Sequence, residues 1–375
     1  MATRRTVLPA ALAAVAVLVV SATQSGAANA RHARAAAAGG GGYATTAAQD
    51  AQALKTTLAW TAQTGVKAKK KYRIAWVKED AGLESYTQKE TKAGITVAKK
   101  YGATVKVYDA KFNPNQQFRD LQDAITAYKA GQYDAIVVTP VAGSVICNQV
   151  KKAIAQRVPI ELENLSVCGD KGYHPGAIGY VGMQQQRAED QDYDVAFSSC
   201  KTSCNALVIT GPVGFDLTVR DNIAIKKAQA KYPKVHVVAI QAGDFTPTAW
   251  FQIARQALTA HPDIDMISTN WDDSVTGVIR AVKQAGKTPG KDIHIFSVGG
   301  DSLGIRLVKS GQLEATDIVS PYHDGLYAME QVFRYLITGH KTVGSVWPGD
   351  APFITQTVGT RMLTKENVGK WKPEY

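Results

Sequence analysis

The stretch DFTPTAWFQIARQALTAHPDIDMISTNWDDSVTGVIRAVKQAG, residues 244–286, decides the fold. Pro247 suits the first turn of a helix, and apolar residues then recur at helical spacing as far as Ala260. Asp265–Ser268 is a short apolar run that reads as a strand. The polar segment Asn270-Trp271-Asp272-Asp273 ends it. Ser274–Ala285 reads as a second helix, closed by Gly286. A short apolar strand between two amphipathic helices is the signature of a parallel sheet covered on both faces.

The same alternation reaches back to Tyr72. It predicts strands at Tyr72–Val77, Thr104–Tyr108, Tyr133–Val138, Pro159–Leu162, Ala206–Ile209, Val235–Ile240 and Ile293–Val298. It predicts helices at Ser85–Tyr101, Asn115–Lys129, Gly143–Gln156 and Val219–Lys231. The quoted stretch also has an echo. Phe245, Pro247, Phe251, Ala257 and Leu258 repeat Phe112, Pro114, Phe118, Ala124 and Ile125 at an offset of 133 residues. Two similar α/β lobes in tandem follow. In each, the phenylalanines are expected to pin helix to sheet as core features rather than as ligand contacts.

The remainder of the chain frames these lobes. There are 375 residues, 45% apolar and 20% charged, ordinary values for a globular chain of two domains. The formal net charge is +11; residues 1–42 hold four arginines and no acid, and without them it is +7. Lys67, Lys69, Lys70, Lys71 and Arg73 form a short basic run that reads as a solvated linker, and no nucleic-acid partner is expected. Residues 1–30 read as a signal peptide: Arg4-Arg5, an apolar stretch from Val7 to Val20, then Ala28-Asn29-Ala30. No cysteine lies near that cleavage site, so the expected product is exported but not a lipoprotein. Residues 31–71 read as a flexible linker with a loosely attached helix within 45–61.

Four cysteines allow three pairings; near neighbours favour Cys147–Cys168 and Cys200–Cys204. A zinc site is the alternative, but the only short spacing is C-x-x-x-C with no histidine close by, so no metal and no cofactor are expected.

Ligands of open parallel sheets sit beyond the carboxyl ends of the strands. Residues just past those ends are Glu84 and Tyr86, Asn164, Phe215 and Arg220, Trp271 and Asp272, and Asp301. Aromatic rings stack on the C–H faces of a sugar, while carboxylates, amides and guanidinium groups take its hydroxyls. Trp271 beside Asp272 is the most sugar-like segment, although aspartates there could equally cap the next helix.

The run Leu258-Thr259-Ala260-His261-Pro262-Asp263-Ile264-Asp265, then Asn270, Asp272, Gly277, Arg280-Ala281 and Ala285-Gly286, resembles the ribose-binding family of type I periplasmic proteins. Asn113-Pro114, Thr139-Pro140 and Val298-Gly299-Gly300-Asp301 fall in the family's order. The resemblance implies two Rossmann-like lobes joined by a three-segment hinge that crosses near Gly179–Met183, Ser320-Pro321 and Trp347-Pro348. The lobes would be 72–180 plus 321–347 and 181–320 plus 348–375. It implies capture of a sugar between them, delivery to an ABC transporter permease, and a monomeric chain in the periplasm or cell envelope. Asp272 and Ser320 join the site on this pattern. The binding shell departs from the family at Asn164-Leu165, Arg220, Trp271 and Val319, which leaves the ligand open.

Two other readings bear on function. A sensing or chemotaxis component would share the same lobes. A hydrolase would use Ser302 in Gly300-Asp301-Ser302-Leu303-Gly304, which fits a nucleophile elbow. Its candidate histidines, His323 and His340, follow too closely for that chain order, and a capped glycine turn explains the motif. The expectation is a binding protein, not an enzyme.

Overall fold

The computed structural model describes residues 42–82 and 85–375. The signal-peptide reading and Glu84 lie outside them. Two six-stranded sheets organise the chain. The N-lobe holds β1 (Arg73–Lys78), α2 (Ser85–Lys100), β2 (Thr104–Asp109), α3 (Pro114–Lys129), β3 (Ala135–Val138), α4 (Gly143–Ala155), β4 (Ile160–Glu163) and β5 (Tyr180–Val181). The C-lobe holds α5 (Gln186–Ser198), β6 (Cys204–Thr210), α6 (Asp216–Lys231), β7 (Val235–Ala242), α7 (Pro247–Ala260), β8 (Met266–Thr269), α8 (Asp272–Gln284), β9 (His294–Gly299), α9 (Ser302–Lys309) and β10 (Ala315–Ile318). Then α10 (Pro321–Thr338) and β11 (Ser345–Val346) return to the N-lobe, and α11 (Pro352–Thr355) and β12 (Met362–Thr364) to the C-lobe.

The strand orders are β11-β5-β4-β3-β1-β2 and β12-β10-β9-β8-β6-β7. All pairings are parallel except β10 with β12. Short strands such as Ala135-Ile136-Val137-Val138 are buried throughout, as a sheet covered on both faces requires. The order reverses between β1 and β3 and again between β6 and β8, so both lobes open their strand ends at an equivalent point. The chain passes between sheets three times, after Val181, after Ile318 and after Val346.

The predicted elements are present with ends displaced by one to three residues. The linker helix differs from expectation. Helix α1 (Ala47–Thr61) is docked, not loose, with Ala53, Thr57 and Trp60 buried. Thr46 and Gln49 form a capping box at its start. Gln331 Nε2 donates to Thr57 Oγ1 at 2.9 Å, and Ser345 N donates to Asp50 Oδ1 at 2.7 Å. Gly344 lets β11 approach: a Cβ there would lie 2.5 Å from the Gln49 carbonyl.

Both disulfides are present. Cys147–Cys168 ties α4 to the loop after β4, and Cys200–Cys204 ties the end of α5 to β6. Cys168, Asp170 and His174 bring ligand-type atoms within 4.8 Å of one another. The Cys168 sulfur is in the disulfide, and His174 Nδ1 hydrogen-bonds Asp170 Oδ2 at 2.5 Å.

Candidate ligand-binding cleft

The carboxyl ends of the two sheets face each other across a narrow cleft. Glu79, Tyr86, Phe112, Asn164 and Gln184 line it from the N-lobe side and the first crossing. Phe215, Leu217, Phe245 and Trp271 line it from the C-lobe. The enclosed space is about 20 Å³, room for about one water, so the lobes are shut on each other and a larger ligand enters only as they part. Contacts across the gap hold this form. Ser85 Oγ donates to Asp273 Oδ2 at 2.8 Å, and Gly143 N donates to Asp216 Oδ2 at 2.8 Å.

Two aromatic groups stand in the cleft, each drawn from both lobes. Phe112, Phe215 and Phe245 meet with ring centroids 5.8–6.3 Å apart. Tyr86 meets Trp271 edge-on at 5.8 Å, and Tyr375 lies behind, nearly parallel to Trp271 at 6.2 Å. This corrects the expectation for Phe112 and Phe245, which line the cleft instead of pinning helix to sheet. The cause is local. Both occupy the left-handed region, at φ 55° and 59°, which turns the ring out of its lobe. Asn113 and Thr246 then cap α3 and α7, with proline in the first turn.

Behind the N-lobe wall lies a buried ionic cluster. Lys78 Nζ contacts Glu90 closely and Glu79 at 3.2 Å. Burial works against the Lys78 charge, but Glu79, Glu90 and Glu163 outweigh it and keep the ammonium. One cation cannot hold several dry carboxylates ionised. Burial pushes Glu79 up to about 8 despite Lys78, and Glu163 up to about 7. Burial and then Glu163 raise Glu90 well above the carboxylate range. Burial and then Glu90 also raise Asp324, which accepts the Tyr86 hydroxyl at 2.6 Å. Two buried polar atoms on cleft residues have no protein partner: Asn164 Oδ1 and Trp271 Nε1. Such atoms await a ligand or solvent.

Of the residues expected from sequence, Tyr86, Asn164, Phe215 and Trp271 come together in the cleft. Arg220, Asp272, Asp301 and Ser320 do not line it. The Arg220 guanidinium donates to the Gln184 carbonyl and to Ser166 Oγ, each at 2.7 Å, and so clasps the two lobes. Asp272 turns into the C-lobe, where Gly300 N and Thr316 Oγ1 donate to it at 2.9 and 2.7 Å. A Cβ at position 304 would lie 2.0 Å from its carboxylate, so Gly304 is needed there. Burial pushes Asp272 up to about 6 against hydrogen bonds from Ser297 and Thr316. Asp301 caps α9 through Gly304 N at 2.6 Å, and burial together with Asp272 pushes it up to about 7. Ser320 Oγ donates to Glu374 Oε1 at 2.6 Å. Ser302 Oγ donates to the Tyr375 carbonyl at 2.9 Å, while His323 bonds Glu374 and Ser320, so among the described residues His323 does not serve Ser302 as a base.

Glu79, Phe112, Gln184, Leu217 and Phe245 were missed as lining residues. Glu79 directly follows β1, which is a usable signal. For the two phenylalanines the signal is the repeat itself, placed before a helix at each sheet's carboxyl end.

Two lobes of one topology, a thrice-crossed connection and a cleft between facing strand ends define the architecture of a two-lobed binding protein. The chain belongs to the family of the periplasmic binding protein domain, whose model matches residues 74–341. It is 24% identical over 284 residues to the galactofuranose-binding protein YtfQ of Escherichia coli K12, covering 75% of this chain and 87% of that one. It is 25% identical over 259 residues to the ribose import binding protein RbsB of Salmonella typhimurium, covering 68% and 82%. Among solved structures, a galactofuranose binding protein superposes with a TM-score of 0.68 at 20% identity, covering 80% of this chain and 96% of that one. The Caulobacter myo-inositol binding protein, bound to myo-inositol, gives 0.68 at 19% identity, covering 82% and 98%. The family consists of binding proteins, not enzymes, and the Ser302 motif is a helix cap.

Proposed function

We propose that this chain is an exported solute-binding protein that captures a sugar between its lobes and presents it to an ABC import permease. The observation that carries the reading is the cleft. Aromatic faces from both lobes flank buried polar atoms that lack protein partners, which suits a ring with apolar C–H faces and a polar rim. The relatives' names, galactofuranose-binding and ribose import binding, support a sugar and a transport role. Tyr86, Asn164, Phe215 and Trp271 are the proposed contacts, with Glu79, Phe112 and Phe245 added.

The mechanism is capture by closure. A ligand that touches both lobes binds the shut form more tightly and shifts the equilibrium toward it. The Arg220 clasp and the Ser85–Asp273 bond form only when the lobes meet, so they add to the closed state. A partner then reads the closed surface. A melting screen against pentoses, hexoses and cyclic polyols tests the reading. A true ligand at a thousandfold excess over its Kd stabilises by about 4 kcal/mol. No shift with any sugar or polyol would remove the sugar from the proposal.

A further inference from the structure

The turn Gly299-Gly300-Asp301-Ser302 caps α9 and also holds a distant part of the chain. Ser302 donates to the Tyr375 carbonyl from its backbone N at 3.1 Å and from Oγ at 2.9 Å. The Tyr375 hydroxyl donates back to the Gly299 carbonyl at 3.1 Å. The neighbouring Glu374 carboxylate is fixed at the second crossing between the lobes. Ser320 Oγ donates to its Oε1 at 2.6 Å, His323 Nδ1 bonds the same oxygen at 2.6 Å, and Tyr322 N donates to Oε2 at 2.8 Å. Backbone, hydroxyl and preceding side chain are all tied, which leaves the Tyr375 ring little room to swing.

That ring stands behind the cleft, outside its lining. It lies at 20° to the Trp271 indole with centroids 6.2 Å apart, and it meets the Tyr86 ring edge-on at 6.1 Å. Tyr86 and Trp271 face the cleft, one from each lobe. Trp271 is 4% exposed, and its Nε1 has no protein partner among the described residues. Packing, not hydrogen bonding, therefore sets the angle of the indole. Without the phenol behind it, the indole would border a space into which it could turn. We propose that Tyr375 is a positioning residue of the sugar cleft: clamped through Ser302 and Glu374, it sets the plane of Trp271 and aims Nε1 at the ligand. The proposal rests on the reading of this cleft as the sugar site and adds a residue that does not itself touch the sugar. Tyr375 is bonded to the C-lobe turn and so stays with Trp271, and Tyr86 meets a preset pair of rings as the lobes close.

Calorimetric titration of the unaltered protein, Tyr375→Phe and Tyr375→Ala tests the assignment. The probes are the pentoses, hexoses and cyclic polyols of the melting screen, with D-ribose, D-galactose and myo-inositol among them. Tyr375→Ala is expected to lose about tenfold in affinity for a sugar that binds the unaltered protein. Tyr375→Phe keeps the ring and should stay within about threefold. Tyr375→Leu, which fills the space without a flat face, serves the same comparison should the alanine variant not fold. A second readout needs no sugar. The near-ultraviolet circular dichroism difference produced by Trp271→Phe isolates this one indole. That difference should persist in the Tyr375→Phe background and be lost in Tyr375→Ala. Unchanged affinity in Tyr375→Ala, an equal loss in Tyr375→Phe, or an indole signal that survives Tyr375→Ala overturns the positioning role and leaves the sugar site standing. If no sugar or polyol binds the unaltered protein, the sugar reading falls, and the indole signal alone decides whether Tyr375 sets Trp271.

Discussion

The two lobes follow one plan and furnish the cleft with opposite chemistry. Their strand orders correspond from β2-β1-β3-β4-β5 to β7-β6-β8-β9-β10. The same Phe-x-Pro element opens α3 in one and α7 in the other, and its two rings meet across the gap at 6.3 Å. The loops past the strands then diverge. The N-lobe places carboxyls around Lys78 and leaves the Asn164 amide oxygen open to the cleft. The C-lobe sends Asp216 and Asp273 to the N-lobe and turns three other carboxylates inward. Asp221 accepts from Tyr193 and Asn270, Asp272 from Gly300 and Thr316, and Asp301 from Gly304, which leaves Trp271, Phe215 and Phe245 as the surface. Shared topology fixes where the loops stand; loop sequence decides that one wall reads polar edges and the other ring faces.

This contrast can be broken from either side. The largest effect should come from the N-lobe. Lys78→Met removes the one cation among buried carboxyls and is expected to cost about 3–5 kcal/mol in denaturant unfolding. A cost below about 1 kcal/mol would show that the cluster does not depend on its lysine. On the C-lobe side, Asp272→Ala strands Gly300 N and Thr316 Oγ1. It should cost about 1–3 kcal/mol while changing ligand affinity little. A large affinity loss with no stability loss would return Asp272 to the ligand.

Acidity distinguishes the walls as well. Glu79 and Glu163 sit at about 8 and 7, while Asp221 and Asp272 sit at about 6. Each lies above its unfolded range near 4, so the folded chain binds more protons than the unfolded one. The stability these groups contribute is complete below about pH 4 and is lost as pH rises toward 8. The melting temperature should fall between pH 5 and 8, and Glu163→Gln should flatten the upper part of that fall. A curve that rises over this window contradicts the assignment. The smallest effect is the coupling between the repeated rings. A Phe112→Ala and Phe245→Ala double-mutant cycle on ligand affinity should give about 0.5–1.5 kcal/mol. Strict additivity would mean that each ring serves only its own lobe.

The sequence made strands β1–β4 and β6–β9, most helices and both disulfides readable, because short parallel strands are uninterrupted apolar runs. It was silent on β5 and α5, and again after Val298. There β10 carries Asp317, buried against Arg361, which interrupts the apolar run. It undervalued α1, whose docked face is Ala53, Thr57 and Trp60, too small and polar to register as a stripe. In the site, position relative to strand ends found Tyr86, Asn164, Phe215 and Trp271. Direction was beyond it. Asp272 stands in the right loop, but the Gly299-Gly300 turn offers an N–H behind it and draws the carboxylate inward. Arg220 lies one helical turn past Phe215, and its long side chain reaches back to the hinge.

The central claim is that a sugar closes the lobes against Trp271. The most direct measurement is intrinsic fluorescence titration, with the sugar identified in the melting screen, of the unaltered protein and of Trp271→Ala. The account predicts a saturable change in the unaltered protein. In the variant, which should remain folded by circular dichroism, the change should be lost and affinity should fall about tenfold or more. Unchanged affinity in Trp271→Ala would contradict it.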